Sequence, residues 1–489
     1  MMRNTLRQHL IALGIALVSF IVYVRTLAPT ITWRNAGADS GDLVTASFTG
    51  GIPHPPGYPL YLLIASLFAH LPIGEPAFGV GLFSALSASF AVMMLFFAAR
   101  AFNVTDASAA SAALMFAFSP LLWSQATIAE VNTLTTFFVA ALFAILFSNA
   151  RHKIELAVFI LGLALTHHLT IVLLVPTIAL MLRDAEWNRV RILRASLLCL
   201  APLSLYALLP MRAANQPPIN WGNAATWEGF VWLVSAAAYR PYVFDLAPAM
   251  IAERFAFAVR LLFEQFNGWG VALGLWGIVQ MLGGEHVVRQ RGIASLIGLG
   301  LIVAYALVYA SRDSYIYLLP ALLIIALWIA YGIGDVLKRW SARAIILAAL
   351  VLLPGFNLIT NWQTLDLSQD RAAFDYAQTA LTTVPDDAVI LTDGDEHLFA
   401  LWYYRYVIAS DSRVTIVSVE LLQFDWYYEQ MRAQMPGLTS TPRALDRLHA
   451  IVAQAMMQQR AVYATTPMNA LSAYVLTPQK NLYLVERAR

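Results

Sequence analysis

Residues 154–182 read I-E-L-A-V-F-I-L-G-L-A-L-T-H-H-L-T-I-V-L-L-V-P-T-I-A-L-M-L, and the reading of this stretch decides the fold. It is almost wholly apolar. It is too long for one straight bilayer crossing of about 20 residues and too short for two full ones. His167 and His168, the only adjacent histidines of the chain, sit at its middle. Either it is a single tilted span, or two half-length helices meet at the histidine pair. The flanking charges choose between these. If Arg3 and Arg7 are cytoplasmic and the stretch is a broken pair, the cytoplasmic turns carry Arg100, Arg151, Lys153, Arg183, Arg189, Arg191, Arg194, Arg289, Arg291, Lys338, Arg339 and Arg343. That is the expected distribution of positive charge. A single span would send Arg289, Arg291, Lys338 and Arg339 outward. The broken pair is the better reading.

Working outward, spans are expected at roughly 8–26, 79–100, 107–124, 129–149, 154–166, 169–182, 193–210, 268–284, 293–310, 316–337 and 343–360. The composition agrees. The 489 residues are 59% hydrophobic and 12% charged, against about 25% charged in soluble proteins. A net charge of +2 with no basic tract gives no sign of a nucleic-acid partner. The single cysteine, Cys199, excludes a disulfide framework. The N-terminal M-M-R-N-T-L-R-Q-H-L leads into an apolar run closed by Tyr23 and Arg25 rather than by a small-residue cleavage site, so it reads as a retained first span.

This is the pattern of a polytopic α-helical membrane protein with about 11 transmembrane helices, the broken short pair included. Residues 1–360 form the membrane domain, with long outer loops at about 27–78 and 211–267. Residues 361–489 are far more polar and alternate short apolar runs (A-V-I-L-T, R-V-T-I-V-S-V, A-V-Y-A-T, N-L-Y-L-V) with helix-like segments. They read as a small extracytoplasmic α/β domain.

The densest polar chemistry lies in the first outer loop, A-D-S-G-D-L-V-T-A-S-F-T-G-G-I-P-H-P-P-G-Y-P-L-Y, residues 38–61. Asp39 and Asp42, three apart, share one face of a helix. They are either a capping pair at a helix start or a general base toward an acceptor hydroxyl, and the chemistry alone leaves both open. His54 sits in a rigid proline-rich turn, as a bystander or as a phosphate or hydroxyl contact. Glu130 stands at the outward end of a span, where the helix dipole is enough to explain an acid but an ionisable group near membrane depth favours a site. His167 and His168, at the break, favour a polar cavity. Arg240 in A-A-A-Y-R-P-Y and Arg312 beside Asp313 in S-R-D-S-Y suit phosphate binding, although Arg312 and Asp313 also read as a local charge pair. In the tail, D-G-D-E at 393–396 reads as acids capping a helix after a strand, more than as a metal site.

Taken in order, A-D-S-G-D with G-I-P-H-P-P-G-Y-P-L-Y, A-E-V-N-T-L, L-T-H-H-L-T, N-W-G-N-A-A-T-W-E-G-F with A-Y-R, D-S-Y-I-Y-L-L-P, L-T-D-G-D-E-H-L-F-A-L-W-Y and F-D-W-Y resemble the membrane-protein family grouped as DUF2723. The resemblance covers nearly the whole chain. Its eukaryotic branch includes an endoplasmic-reticulum protein O-mannosyltransferase acting on plexin-type receptor domains. The family is similar to the GT-C glycosyltransferases, which take a sugar from a polyprenyl-phosphate carrier. The resemblance therefore implies a GT-C-like membrane domain. It also implies a sugar transferase, of mannose or another hexose, working on the extracytoplasmic face of a bacterial plasma membrane. The acceptor would be a protein, glycan or lipid. The resemblance puts the catalytic acid at Asp39, with Asp42 beside it. His54, Tyr58 and Glu130 would flank the pocket, and His167, His168, Arg240 and Arg312 are further candidates for substrate contacts. No cofactor is required by this chemistry and a divalent metal has no support. The family's tail often carries G-D-N-D where this chain has D-G-D-E, which weakens a tail site. The rival readings are a transporter or flippase of lipid-linked glycans and a non-catalytic membrane scaffold.

Overall fold

The computed structural model describes the backbone of residues 2–243, 245–339 and 343–487. Residues 340–342 and the side chains of 2–4 and 343–351 lie outside the described residues, and with them the expected cytoplasmic charges Arg3 and Arg343.

Each expected span falls on helical structure. The first is α1 (Met2–Arg25). The first outer loop is itself largely helical, with α2 (Ser40–Thr49) and α3 (Pro59–Ala69). Then come α4 (Pro76–Arg100), α5 (Asp106–Ala117), α6 (Pro120–Ala126), α7 (Asn132–Phe147) and α8 (Lys153–Leu165). After α8 the chain breaks at His167–His168 into a short 3-10 turn, Leu169–Leu174, and α9 (Val175–Leu182). The two short pieces expected from the sequence are present. Beyond them run α10 (Arg189–Leu200), α11 (Leu208–Ala213), α12 (Trp227–Val234), α13 (Pro248–Leu282), α14 (His286–Val308), α15 (Leu319–Arg339) and α16 (Arg343–Leu365).

Among the described residues, five helices are long and apolar enough to cross a bilayer: 5–25, 76–100, 189–213, 286–308 and 314–339. A sixth is counted if α5 and α6, bent by 64°, are one span. The segment expected as a straight span at 107–124 is thus broken, because Pro120 cannot continue the ladder of α5. The span expected at 268–284 is the distal part of the 35-residue α13, whose helical dihedrals are interrupted at Asn267 (φ 56°, ψ 174°). Its proximal half occupies what the sequence suggested was loop.

Close approach and buried caps hold the helices together. α13 and α15 cross at Gly277 and Gly332. A Cβ on Gly277 would lie 2.0 Å from the Trp328 carbonyl oxygen, and one on Gly332 2.1 Å from that of Leu273. Arg291, expected in a cytoplasmic turn, is instead buried in α14. Its guanidinium donates to the carbonyl of Ala101 at 2.8 Å and to that of Phe147, closing the ends of α4 and α7.

The tail is an α/β unit with one mixed sheet, β1 (Val389–Thr392), β2 (Thr415–Ser418), β3 (Val462–Ala464), β4 (Tyr474–Gln479) and β5 (Leu482–Arg487). The order is β2-β1-β3-β5-β4, with β2, β1 and β3 parallel and the last two antiparallel. β1 and β2 are buried at every residue, as parallel strands covered on both faces must be. α17 (Ala372–Thr383), α18 (Asp395–Tyr403), α19 (Asp425–Gln434) and α20 (Ala444–Met457) complete the unit. Four of the strands match the apolar runs picked out above; β4 does not stand out in sequence because none of its side chains is fully buried.

The glycine crossing yields a test. Gly277→Ala should cost about 1–3 kcal/mol through overpacking and lower the thermal midpoint in detergent, whereas Gly300→Ala, with nothing within 4 Å of the new methyl, should not. Equal midpoints for the two variants would contradict the close crossing.

Candidate active site

The first outer loop turns sharply before α2. Asn35 and Ala36 both take left-handed dihedrals, at φ 60° and 56°, an uncommon state for alanine. Gln125 steadies the turn by donating from Nε2 to the Asn35 carbonyl at 2.9 Å. The turn delivers Asp39 to the head of α2. Asp39 holds the cap position, yet its side chain makes no capping hydrogen bond. It keeps 38% of its surface, open to a cavity of about 690 Å3. That size suits a small-molecule site.

Asp42, one turn on, is fully buried. Its Oδ2 accepts from the His54 backbone N–H at 2.8 Å and from His54 Nδ1 at 2.7 Å, and its Oδ1 accepts from Trp221 Nε1 at 3.1 Å. The other face of His54 looks toward the cavity. Nε2 lies 3.0 Å from the Tyr58 hydroxyl, which donates on to the Pro55 carbonyl, and 3.7 Å from Asp39 Oδ2. His54 is therefore an imidazole between two carboxylates. Burial works against its charge, but Asp39 and Asp42 outweigh burial and push its pKa from 6.5 up to about 9. It is an imidazolium at neutral pH. Burial raises the Asp39 carboxyl, Asp313 and Asp42 add to that, and the charged His54 pulls it back toward the ionised form. The arrangement can hold Asp39 as a carboxylate with a free face and stabilise it by a fixed positive charge.

The remaining walls come from distant parts of the chain. Glu130, 4% exposed, accepts through Oε2 from the Val131 N–H at 2.9 Å and from Asn132 Nδ2 at 3.2 Å, so it sits just ahead of α7 and also lines the cavity. His168 lines it too. Its Nδ1 accepts from the Thr170 hydroxyl at 2.8 Å, which leaves Nε2 to carry the proton. Arg312 and Asp313 are in the lining. Their loop is pinned by Arg254, which donates to Ser314 Oγ at 2.9 Å and to the Ser311 carbonyl at 2.7 Å. Tyr239, Tyr242, Tyr309 and Tyr317 supply aromatic surface, and Asp395 and Glu420 reach in from the tail.

Two expected site residues stand apart. His167 is buried behind the lining, where its Nε2 donates to the Val131 carbonyl at 2.9 Å and its ring stacks on Tyr61. Only His168 of the pair reaches the cavity, because the break in the chain turns the two rings to different sides. Arg240 is exposed and donates to Ser235 Oγ at 2.8 Å; its neighbours Tyr239 and Tyr242 face the cavity in its place. Arg312 and Asp313 form no salt bridge with each other among the described residues, and the Asp313 carboxylate accepts from the Ser311 hydroxyl instead. Sequence reasoning missed Trp221, Arg254 and the tyrosines. It noticed D-G-D-E without connecting Asp395 to Asp39. No three metal-ligating side chains are grouped to hold an ion among the described residues.

The raised His54 pKa predicts a pH-dependent stability. Because the folded value lies above the unfolded one, the contribution is fully present below about pH 6.5 and is lost as pH rises through about 9. The unfolding midpoint of the wild type should fall across that window, and His54→Gln should flatten the fall. Parallel pH curves for the two proteins would contradict the imidazolium.

Two family models match the chain. Residues 39–190 match the N-terminal domain of protein O-mannosyl-transferase TMEM260, and residues 373–475 match TMEM260-associated domain 2. Among curated relatives, protein O-mannosyl-transferase TMEM260 of Mus musculus is 27% identical over 465 residues, covering 87% of this chain and 65% of its own length. The Dictyostelium discoideum protein of the same name is 23% identical, covering 83% and 57%. The chain thus spans less than two thirds of the length of these relatives. Two crystal structures of ArnT from Cupriavidus metallidurans, one bound to undecaprenyl phosphate and one in the apo state, share the fold with TM-scores of 0.62 and 0.59 at 11% identity. The first covers 97% of each chain, and the second 99% of this chain and 98% of ArnT. The likeness supports the GT-C-type membrane fold expected from the sequence. The chain is a multi-pass integral membrane protein whose acid-bearing first loop and tail are both similar to TMEM260 domains.

Proposed function

We propose that this protein is a membrane glycosyltransferase that moves a hexose, mannose in the first instance, from a polyprenyl-phosphate carrier to a hydroxyl of a polypeptide, inverting the anomeric carbon. The observation that carries the reading is Asp39, a carboxylate at a helix start that does no capping, opens onto a cavity of about 690 Å3 and has a charged imidazole 3.7 Å behind it. The names of the relatives support a protein acceptor and mannose. The undecaprenyl phosphate bound to ArnT supports a polyprenyl-phosphate carrier.

In the step, the acceptor oxygen bonds to the anomeric carbon and its proton passes to Asp39. The bond from that carbon to the phosphate oxygen breaks, and the electron pair leaves with polyprenyl phosphate. Arg312 and the charged His54 offset the negative charge at the cavity wall. Asp42 and Trp221 act through His54, holding the ring in place. The leaving group is already anionic and needs little protonation. The cavity and the tail are extracytoplasmic in this reading, consistent with the charge of the opposite turns and with a carrier that presents its sugar at the outer leaflet of a bacterial plasma membrane. The eleven-span layout, with its short pair at His167–His168, belongs to the same reading.

Purified protein given a panel of polyprenyl-phosphate sugars and a hydroxyl-bearing polypeptide acceptor should release polyprenyl phosphate, and Asp39→Asn should slow the release by about 100- to 10,000-fold while melting normally. Equal release by both proteins would remove Asp39 as the base. No release from any donor by folded wild type would favour a transporter of lipid-linked glycans.

A further inference from the structure

Two buried polar side chains face the cavity and have no part in the transfer step. Glu130 is 4% exposed and His168 8%. Glu130 uses only Oε2 to accept from the Val131 N–H and the Asn132 amide. Its Oε1 accepts no hydrogen bond among the described residues. His168 is fixed in the opposite sense. Its Nδ1 accepts from the Thr170 N–H at 3.3 Å as well as from the Thr170 hydroxyl, and a backbone N–H can only donate. The ring proton is therefore on Nε2, which has no partner among the described residues. The cavity wall thus holds one spare acceptor and one spare donor, each on a side chain more than nine-tenths buried. Buried polar atoms of native proteins are paired, so both are placed for a partner that enters the cavity.

One bond brings them to the same space. His167 Nε2 donates to the Val131 carbonyl at 2.9 Å, tying the break after α8 to the head of α7. His168 and Glu130 are the chain neighbours of those two residues, and both open onto the cavity. Tyr58 links them to Asp39. Its ring centroid is 6.0 Å from that of His168 and 5.2 Å from that of His54, whose Nε2 stands 3.7 Å from the Asp39 carboxylate.

The surroundings give this wall a direction. A small cleft lined by Thr135, Thr170 and Leu319 shares His168, Ile316 and Tyr317 with the cavity and leads in toward the membrane helices. On another side the polar tail closes on α2, where a Cβ on Gly41 would stand 2.3 Å from the Phe399 carbonyl oxygen. His168 therefore borders both the cleft that suits an isoprenoid chain and the cavity that holds the acid.

Resting on the transferase reading, we infer that Glu130 and His168 are the sugar subsite: Glu130 Oε1 accepts from one hydroxyl of the donor hexose, and His168 Nε2 donates to the oxygen of the vicinal hydroxyl. A fixed acceptor and a fixed donor suit a diol, because each hydroxyl can give one hydrogen bond and take another. The carrier chain runs back past His168, and the pair holds the ring with its anomeric carbon within reach of Asp39. The bond changes remain those of the transfer step, and neither group exchanges a proton in it. A sugar that lacks either hydroxyl leaves a buried polar atom unpaired and is rejected.

The test takes the hexose donor that the full-length protein consumes fastest, mannose in the first instance, and its 2-, 3-, 4- and 6-deoxy analogues, all on polyprenyl phosphate. Each is given with one threonine peptide as acceptor, and release of polyprenyl phosphate is read as kcat/KM. The wild type should lose about 10- to 100-fold on two vicinal deoxy donors and less on the others. In Glu130→Gln, the donors at Val131 and Asn132 hold the amide oxygen, so an NH2 group replaces the acceptor facing the cavity. That variant should bring the parent sugar and one of the two deoxy donors to within about threefold of each other, leaving the other ratios in place. His168→Phe should do the same for the vicinal position, and His168→Gln, which keeps an N–H donor, should recover part of the discrimination. Variants that slow every donor by one common factor have lost structure and not a sugar contact, which overturns the subsite. A wild type that uses all the deoxy donors as well as the parent overturns it too, and leaves the transferase standing. Consumption of no donor at all by the folded wild type overturns the transferase reading, and this inference with it.

Discussion

A carboxylate with no exposed surface organises this molecule. Asp42 is surrounded by protein and tolerable there only because three donors converge on it: the His54 backbone, the His54 ring and the Trp221 indole. An unpaired buried charge would cost several kcal/mol, so the chain is obliged to bring those donors together. Two long loops are joined as a result. The contact is reinforced where the Ile52 N–H donates to the Ile219 carbonyl at 2.9 Å and the Trp221 N–H returns to the Ile52 carbonyl at 3.3 Å. Asp39, one helical turn away, inherits its place and its charged neighbour from this arrangement.

The sequence carries the local parts of this story well. Hydrophobic length marks where the helices lie, because the bilayer imposes a length that composition must obey, and five or six of the expected spans are helices long and apolar enough to cross among the described residues. The break at His167–His168 is legible because polar residues cannot sit at membrane depth without a purpose. What sequence does not carry is which side of a break faces a cavity. His168 and Arg312 reach it, while His167 and Arg240 do not, and nothing in one dimension distinguishes members of either pair. The capping and catalytic readings of Asp39 are likewise identical in sequence; the structure removes the capping one, because the side chain leaves the cap unfilled.

Asp395 shows the limit from the other side. D-G-D-E after an apolar run is a good strand-to-helix junction, and it is one, with Gly394 at φ 85° ahead of α18. The local pattern gives the junction but not what it packs against, which is a loop near the opposite end of the chain. Arg291 belongs to the same class. Counted as a cytoplasmic charge, it is a buried cap on two helix ends.

The contact between Gly41 and Phe399 joins positions about 360 residues apart. At ribosomal speeds of about 5–20 residues per second, roughly 20–70 s pass between the emergence of the two. Throughout that interval the acid-bearing loop exists without its cover, with helices inserting behind it. A nascent chain therefore carries the loop long before the helix that packs on it, and the Asp39 cavity acquires its full wall only once residues near 420 have been made and folded.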